Sequence, residues 1–174
     1  MLYTAQCNSP IGKITLASDG QCLIGLWIEG QKHFLSSISG EVQTNENLEI
    51  FIKTKTWLKA YFQGENPDTS DIALAPQGSD FRKTVWRKLI KIPYGKTISY
   101  GDIAKRISDS ADGKKTSARA VGGAVGRNPI SIIIPCHRVI GADGGITGYA
   151  GGIDKKIYLL KLEGAVLPAL KSKI

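Results

Sequence analysis

The apolar positions of the first 30 residues come in short runs rich in β-branched and aromatic side chains, at residues 2–6, 11–17 and 22–29, and each run reads as a strand. Asp19-Gly20, between the last two, is a hairpin signal. The period then changes. From Leu48 onward Phe51, Ile52, Leu58, Tyr61 and Phe62 recur at helical spacing, and Gly64 is placed to stop that helix. Residues 64–79 carry Gly64, Pro67, Pro76 and Gly78 among polar neighbours, the pattern of a linker. The chain therefore divides into an N-terminal domain, residues 1–76, and a C-terminal domain, residues 77–174. In the second, Phe81, Val85 and Leu89 form an i, i+4, i+8 stripe behind a Ser79 or Asp80 cap, and Pro93 and Gly95 end the helix. Ser99 with Asp102 caps a short helix through Ile107, the polar stretch 108–115 follows, and another helix starts near Thr116 or Ser117. That pair predicts a helix-turn-helix with a connection longer than usual. Residues 130–134 and 139–149 predict short extended pieces, and Asp154 is the expected cap of a last helix over 155–163, stopped by Gly164.

A chain of 174 residues with 42% hydrophobic and 22% charged residues has the make-up of a globular protein, which excludes a disordered tail or a fibrous repeat. No apolar run approaches the roughly 20 residues of a membrane span, and residues 1–10 lack the basic cluster and apolar stretch of a secretory signal, so the expected location is cytoplasmic. Cysteines at 7, 22 and 136 form no even-numbered framework and fit a reducing compartment with a thiol free for chemistry. The net charge of +8 is unevenly spread: residues 82–138 hold 13 Lys/Arg against 3 Asp/Glu, whereas residues 1–80 hold 5 against 9. Such a segment attracts polyanions through counterion release, which makes nucleic acid the first partner to consider beside a merely soluble basic protein.

The sharpest chemical feature is Pro135-Cys136-His137-Arg138, directly after the apolar run 130–134. A thiol of pKa about 8.5 is only a few per cent thiolate at neutral pH unless charge or hydrogen bonds favour ionisation. His137 and Arg138 supply partners within two residues. In extended backbone adjacent side chains point to opposite faces, so His137 would reach Cys136 through a bridging water; a buried inert cysteine is the alternative. Glu163 stands in the last turn of its helix, against the macrodipole at a cost of about 0.3–1 kcal/mol. Either a partner holds it there, for which His137 is the candidate, or it is a solvated helix end. The helix over 117–126 is unusual in a different way: Ala118, Ala120, Gly122, Gly123, Ala124 and Gly126 are small, and Arg119 is its long side chain. Two interior glycines cost about 2 kcal/mol relative to alanine, so something benefits from close approach. A neighbouring helix is one beneficiary. A narrow minor groove is the other, with Arg119 occupying the base stack, because the helix lacks the Asn and Gln that read major-groove edges.

Five motifs in order, 119–124 (Arg-Ala-Val-Gly-Gly-Ala), 126–129 (Gly-Arg-Asn-Pro), 134–139 (Ile-Pro-Cys-His-Arg-Val), 148–152 (Gly-Tyr-Ala-Gly-Gly) and 159–163 (Leu-Leu-Lys-Leu-Glu), resemble the O6-alkylguanine-DNA alkyltransferase family. The likeness is strong over residues 80–165 and looser over 1–76. It implies an α+β protein: an N-terminal mixed α/β, ribonuclease H-like domain and a C-terminal winged helix-turn-helix-like DNA-binding domain. It implies a single-turnover DNA repair methyltransferase that flips O6-alkylguanine out of double-stranded DNA and keeps the alkyl group on its own cysteine. By position Cys136 is the acceptor, His137 the base acting through a water, and Glu163 its orienter. Tyr100 assists flipping and offers its hydroxyl to the departing guanine, and Asn128 braces the loop before the active site. Arg119 is the finger that fills the gap of the flipped base, with Ser117, Ala120, Gly122 and Gly123 on the DNA-facing helix. Val139, Tyr149, Ala150 and Gly151 line the base pocket; family members often carry serine at position 150, and Ala150 offers only its backbone amide there.

The resemblance implies no cofactor, no membrane and a monomer. Some relatives hold a structural zinc in the N-terminal domain, but Cys7, Cys22 and His33 fall short of four ligands, so no metal is expected. Cys7 and Cys22 are expected to be buried and His33 exposed. Two rival functions remain, a non-enzymatic damage-recognising DNA-binding module and a thiol hydrolase; the first lacks a use for Cys136, the second for Arg119 and the glycines.

Overall fold

The computed structural model describes residues 1–110 and 114–167. Contacts divide the chain into two units, Met1–Gly78 with Pro129–Ile133, and Ser79–Asn128 with Ile134–Ile174. The expected mixed α+β architecture is present, with strands concentrated in the first unit and helices in the second.

The first unit is built on a four-stranded sheet in the order β3-β2-β1-β4, comprising β1 (Leu2–Cys7), β2 (Ile14–Ser18), β3 (Leu23–Ile28) and β4 (Val42–Thr44). β1, β2 and β3 run antiparallel, with Tyr3 opposite Ser18 and Ile14 opposite Ile28, and β4 joins β1 in parallel. β2 and β3 are buried along their whole length, which explains why they read as continuous apolar runs. Helix α1 (Glu49–Phe62) packs on β2. A cluster of Ala17, Ile24 and Trp27 is packed by Leu2, Leu35, Ile38 and Ala75. Gly25 is glycine for a packing reason: a Cβ there would stand 1.9 Å from the Trp27 ring, which lies across the backbone.

Several sequence expectations change here. The strand foreseen over 11–17 begins only at Ile14. The β2–β3 connection is longer than a two-residue hairpin: a register irregularity falls at Ala17/Ser18, and the Asp19 carboxylate accepts the N–H of Gln21 and Cys22. β4 carries no sequence signal, because all three of its residues are exposed. Part of the expected linker is ordered along the edge of β3, where Leu23 N–H donates to Ala73 O and Ala75 N–H to Leu23 O. Cys7 and Cys22 are half-buried rather than buried.

The extended piece expected over 130–134 is present only at Ile130, which bridges Leu26, and tight turns follow it. Pro129–Ile133 belongs to the first unit through Leu26 N–H to Pro129 O and Ser131 N–H to Leu26 O, and the Ser131 hydroxyl donates to Gln31 Oε1. These anchors hold Ile132 at φ 69°, a left-handed conformation that costs a β-branched residue about 1–3 kcal/mol.

The second unit packs α2 (Asp80–Ile90), α3 (Tyr100–Ser108) and α4 (Ala118–Val125) together, and adds a two-stranded parallel sheet of β5 (Ile98–Ser99) and β6 (Val139–Ile140) and a last helix, α5 (Ile153–Leu162). Each of these three helices has a serine cap: of Ser79 and Asp80 it is Ser79 that accepts, from Arg82 N–H, Ser99 accepts from Asp102 N–H as expected, and Ser117, at the expected start of α4, accepts from Ala120 N–H. The buried Trp86 ties α2 to α4 by donating from Nε1 to Ala124 O at 2.9 Å. The polar connection 108–115 between α3 and α4 includes residues 111–113, which lie outside the described residues. Of the extended piece expected over 139–149 only Val139–Ile140 is strand. The cap of α5 is Gly152 at φ 100°, and Asp154 sits in the first turn instead, where its charge favours the positive end of the helix.

Candidate active site

Cys136, His137 and Arg138 form one 3-10 turn, so the alternation expected of extended backbone does not apply to them. The turn is closed by Arg138 N–H to Pro135 O at 3.0 Å and by Val139 N–H to Cys136 O. All three side chains are buried, at 4%, 0% and 9% exposure.

The helix-end argument for Glu163 resolves in favour of a partner. Glu163 is the C-cap of α5, and its carboxylate lies 2.6 Å from His137 Nε2. It also accepts from Arg138 Nε at 2.8 Å, from Arg138 Nη2 at 3.0 Å and from Gly95 N–H at 3.0 Å. Gly95 stands at φ 70°, and a Cβ there would come within 2.7 Å of Glu163 O, so the loop after α2 can close on the end of α5 only with glycine. Burial pushes the Glu163 carboxyl up, but the bonds and charges of His137 and Arg138 outweigh it and hold the group well below the carboxylate range.

Burial raises the Cys136 thiol above its ordinary value, and a side-chain hydrogen bond from Asn128, the Lys156 cation and the backbone N–H groups of Cys136 and His137 pull it back in part. Asn128 also donates from Nδ2 to Ile134 O at 2.8 Å, which ties the end of the α4 segment to the residue two before the thiol. Burial lowers His137, against the raising influence of Glu163 and with the charges of Arg138 and Lys156 lowering it further. Burial thus works against charge on both groups, favouring the thiol on Cys136 and the uncharged imidazole on His137.

Tyr100 opens α3, and its hydroxyl donates to Thr147 O at 3.3 Å and Gly148 O at 3.4 Å. Burial, and then the charge of Cys136, raise its pKa. Tyr149 is raised much further by burial, with Cys136 and Glu163 adding to it, so its hydroxyl stays protonated. Tyr149, Ala150 and Gly151 form a half-buried turn closed by Gly152 N–H to Tyr149 O. Val139 is buried in β6. Tyr100, Asn128, Cys136, His137, Val139, Tyr149 and Glu163 are therefore linked in one region of the second unit. Ser117, Arg119, Ala120 and Gly123 lie instead on the solvent side of α4, and Gly122, half-buried, adjoins the Tyr100 ring. Among the described residues no group of three or more His, Cys, Asp or Glu is placed to hold a metal.

Arg138, expected as a partner of the thiol, instead pairs with Glu163, and Lys156 carries no sequence expectation at all. Lys156 is fully buried, and its ammonium donates to the carbonyls of Val139 and Thr147. Burial lowers it to about 8, with Cys136 raising it. The available signal was its position on the apolar stripe of α5, three and four residues before Leu159 and Leu160. Lys156→Met is expected to slow the reaction of Cys136 with iodoacetamide at neutral pH and move its pH dependence to higher pH, because the thiolate loses a cation that favours it; an unchanged profile would place the ammonium outside thiol chemistry.

Residues 80–165 match the family described as "6-O-methylguanine DNA methyltransferase, DNA binding domain", and residues 1–76 match "6-O-methylguanine DNA methyltransferase, ribonuclease-like domain". A methylated-DNA--protein-cysteine methyltransferase of Methanosarcina acetivorans is 48% identical over 167 residues, covering 94% of this chain and 99% of its own length. One of the same name from Mycobacterium bovis is 44% identical, covering 97% and 96%. Among solved structures, Mycobacterium tuberculosis OGT in complex with DNA is similar at a TM-score of 0.81 and 42% identity, covering 96% of each chain. The Methanococcus jannaschii O6-methylguanine DNA methyltransferase is similar at 0.65 and 31%, covering 98% of this chain and 99% of that one.

Proposed function

The chain belongs to the 6-O-methylguanine DNA methyltransferase family, and from that premise we infer that it repairs O6-alkylguanine in double-stranded DNA by moving the alkyl group irreversibly onto its own Cys136. The observation that carries this reading is the buried turn in which Cys136 precedes a histidine held at 2.6 Å by the Glu163 carboxylate. The thiol proton passes through a bridging water to His137, and Glu163 steadies the imidazolium that forms. The sulfur attacks the alkyl carbon as the bond to the guanine oxygen breaks, and that electron pair leaves with the base. The Tyr100 hydroxyl, already aimed at the Thr147 and Gly148 carbonyls, supplies the hydrogen bond or proton that makes guanine an acceptable leaving group. Asn128 and Lys156 stabilise the sulfur anion while it exists. The stable thioether ends the cycle after one turnover. Val139, Tyr149, Ala150 and Gly151 line the pocket for the base, and in this reading the protein works as a monomer without a cofactor. Residues 1–76 act as a structural domain, to which the turns at 129–133 also belong, and the rest of 77–174 as the DNA-binding and alkyl-accepting domain, in the cytoplasm. Among the described residues no helix is long and apolar enough to cross a membrane.

The α4 glycines support minor-groove entry. A Cβ on Gly123 would meet nothing within 4 Å, and one on Gly122 only the Tyr100 ring at an ordinary 3.7 Å. The protein has room for both methyl groups, so the beneficiary of these glycines lies outside it. Gly123→Ala is accordingly expected to raise stability by about 1 kcal/mol while weakening duplex binding; tighter or unchanged binding in a titration would assign the glycine no part in DNA contact. Arg119, exposed at the start of α4, fills the space of the extruded nucleotide. Arg119→Ala is expected to slow repair of methylated duplex about tenfold or more and to leave the reaction with free O6-benzylguanine near its original rate. Equal slowing of both would remove the finger role. The overall reading is tested by intact mass: after incubation with O6-methylguanine duplex the chain gains one methylene, on the Cys136 peptide, and an unmodified chain would refute it.

A further inference from the structure

The mechanism above uses Cys136, His137 and Glu163 and leaves the third residue of the turn without a task. Arg138 is nonetheless the most tightly constrained cation of the second unit's described contacts. Its Nε and Nη2 both engage Glu163, its Nη1 donates to Ile92 O at 2.6 Å, and its guanidinium lies 5.7 Å from the centroid of the Tyr94 ring. A planar fork meeting a carboxylate twice while a third nitrogen meets a carbonyl is a geometry that lysine cannot reproduce.

This arrangement changes what His137 faces. A buried carboxylate alone, at 2.6 Å, would draw a proton onto the imidazole, and an imidazolium cannot accept the thiol proton. With Arg138 in place, the carboxylate is already one half of an ion pair. His137 then donates from Nε2 to an oxygen whose charge is shared, and Nδ1 becomes the acceptor of the ring. We propose that Arg138 is a positioning residue that claims Glu163 as its own ion-pair partner, so that His137 waits as a neutral imidazole and Cys136 as an un-ionised thiol until DNA presents an alkylated base. A protein that spends its thiol once gains from this, because a permanently ionised sulfur would be consumed by any small electrophile or oxidant.

The other charged or titratable groups acting on His137 are Lys156 of α5, which also opposes protonation, and Glu163, which favours it. Cys136 precedes it in the turn, and the buried Tyr149 hydroxyl stays protonated. Lys156 acts on the Cys136 thiol itself, whereas the printed bonds of Arg138 go to Glu163, the carboxylate that His137 faces. The two buried cations therefore have opposite consequences for sulfur: Lys156 favours the thiolate, and Arg138, through the histidine, disfavours it at rest.

The test compares wild type, Arg138→Met and Arg138→Lys, each first confirmed as folded by its amide NMR spectrum. Two readouts follow, the pH midpoint of the His137 ring signals and the rate at which iodoacetamide alkylates Cys136 at pH 7. Methionine is expected to raise the His137 midpoint and to speed trapping about fivefold or more, the scale of one unit charge removed at several ångströms. Lysine, keeping the charge and losing the fork, is expected to melt earlier than wild type while its histidine midpoint stays nearer wild type than that of the methionine variant. If methionine prevents folding, Arg138→Gln, still able to donate to the carboxylate, carries the same comparison. A folded neutral variant whose histidine midpoint and trapping rate match wild type would overturn the proposal and leave Arg138 a purely structural clamp. The proposal rests on the alkyl-transfer reading only for its purpose. Neither readout involves DNA, so failure of that reading, seen as no mass gain from methylated duplex, is separately visible.

Discussion

Cys136→Ala is expected to abolish alkyl uptake completely while leaving duplex binding close to wild type. Cys7 and Cys22 are half-buried in the first unit, and burial raises Cys7 above its ordinary value. No histidine–carboxylate pair adjoins either in the described contacts, so neither can stand in for a sulfur that is deprotonated on demand. The binding side of the prediction follows from burial: Cys136 is 4% exposed on a turn, whereas Ser117, Arg119, Ala120 and Gly123 lie on the solvent side of α4. Removing one buried sulfur costs about 1 kcal/mol, too little to unfold a domain of ordinary stability. Intact mass and a binding titration on the same preparation decide it. Uptake by the alanine variant would move the acceptor elsewhere, and loss of both properties together would make the cysteine structural.

Glu163→Gln is expected to have the second largest effect, on stability and on transfer alike. The substitution keeps shape and removes charge, which leaves Arg138 buried without its ion-pair partner; breaking a buried pair from one side typically costs about 3–5 kcal/mol. The amide makes matters worse, because its NH2 group must face at least one of the donors that Glu163 now accepts from, His137, Arg138 or Gly95. Transfer to O6-benzylguanine is expected to fall about a hundredfold or more, the lower range for losing a positioned general base. The pH dependence has a definite sign. The folded carboxyl titrates below its unfolded value, so its stabilisation is fully present above an unfolded pKa of about 4.3 and is lost as pH falls through the folded value. The stability gap between wild type and the glutamine variant should therefore be widest at neutral pH and shrink below about pH 4. A gap that persists unchanged at pH 3 would mean that the ion pair is not its source.

The second prediction also marks how far the site was readable beforehand. A carboxylate at the wrong end of a helix was visible as an anomaly needing a partner, and the partner is His137. The anomaly gave no hint that Arg138 shares the carboxylate, because that sharing requires the loop after α2, with Gly95 and Ile92, to close on the end of α5. Lys156 was hidden for a related reason. A lysine on an apolar stripe normally extends to water, and only the carbonyls of Val139 and Thr147, brought together by the return of the loop, give it a buried destination.

The fold divides along the same line. Helix starts were legible because a serine hydroxyl oxygen accepts the backbone N–H three residues on, within one turn of backbone, as at Ser79, Ser99 and Ser117. The extended piece expected over 130–134 shrinks to Ile130 because a buried apolar run looks the same whether it pairs in a ladder or is folded into turns held by Leu26 and Gln31, and those anchors are about a hundred residues away in the chain. β4 escaped because its pairing with β1 uses backbone groups alone and buries none of its side chains.

The sequence by itself determined where helices begin, which segment is basic, which cysteine stands beside a histidine, and which family the motifs belong to, since each of these depends on residues close together in the chain. Only the tertiary structure decided that burial works against charge on the thiol and the imidazole while a buried lysine favours the thiolate, and that one carboxylate serves an imidazole, a guanidinium and a backbone amide at once. Ionisation in a protein interior is set by distance and by removal from water, and neither is defined until remote segments have packed.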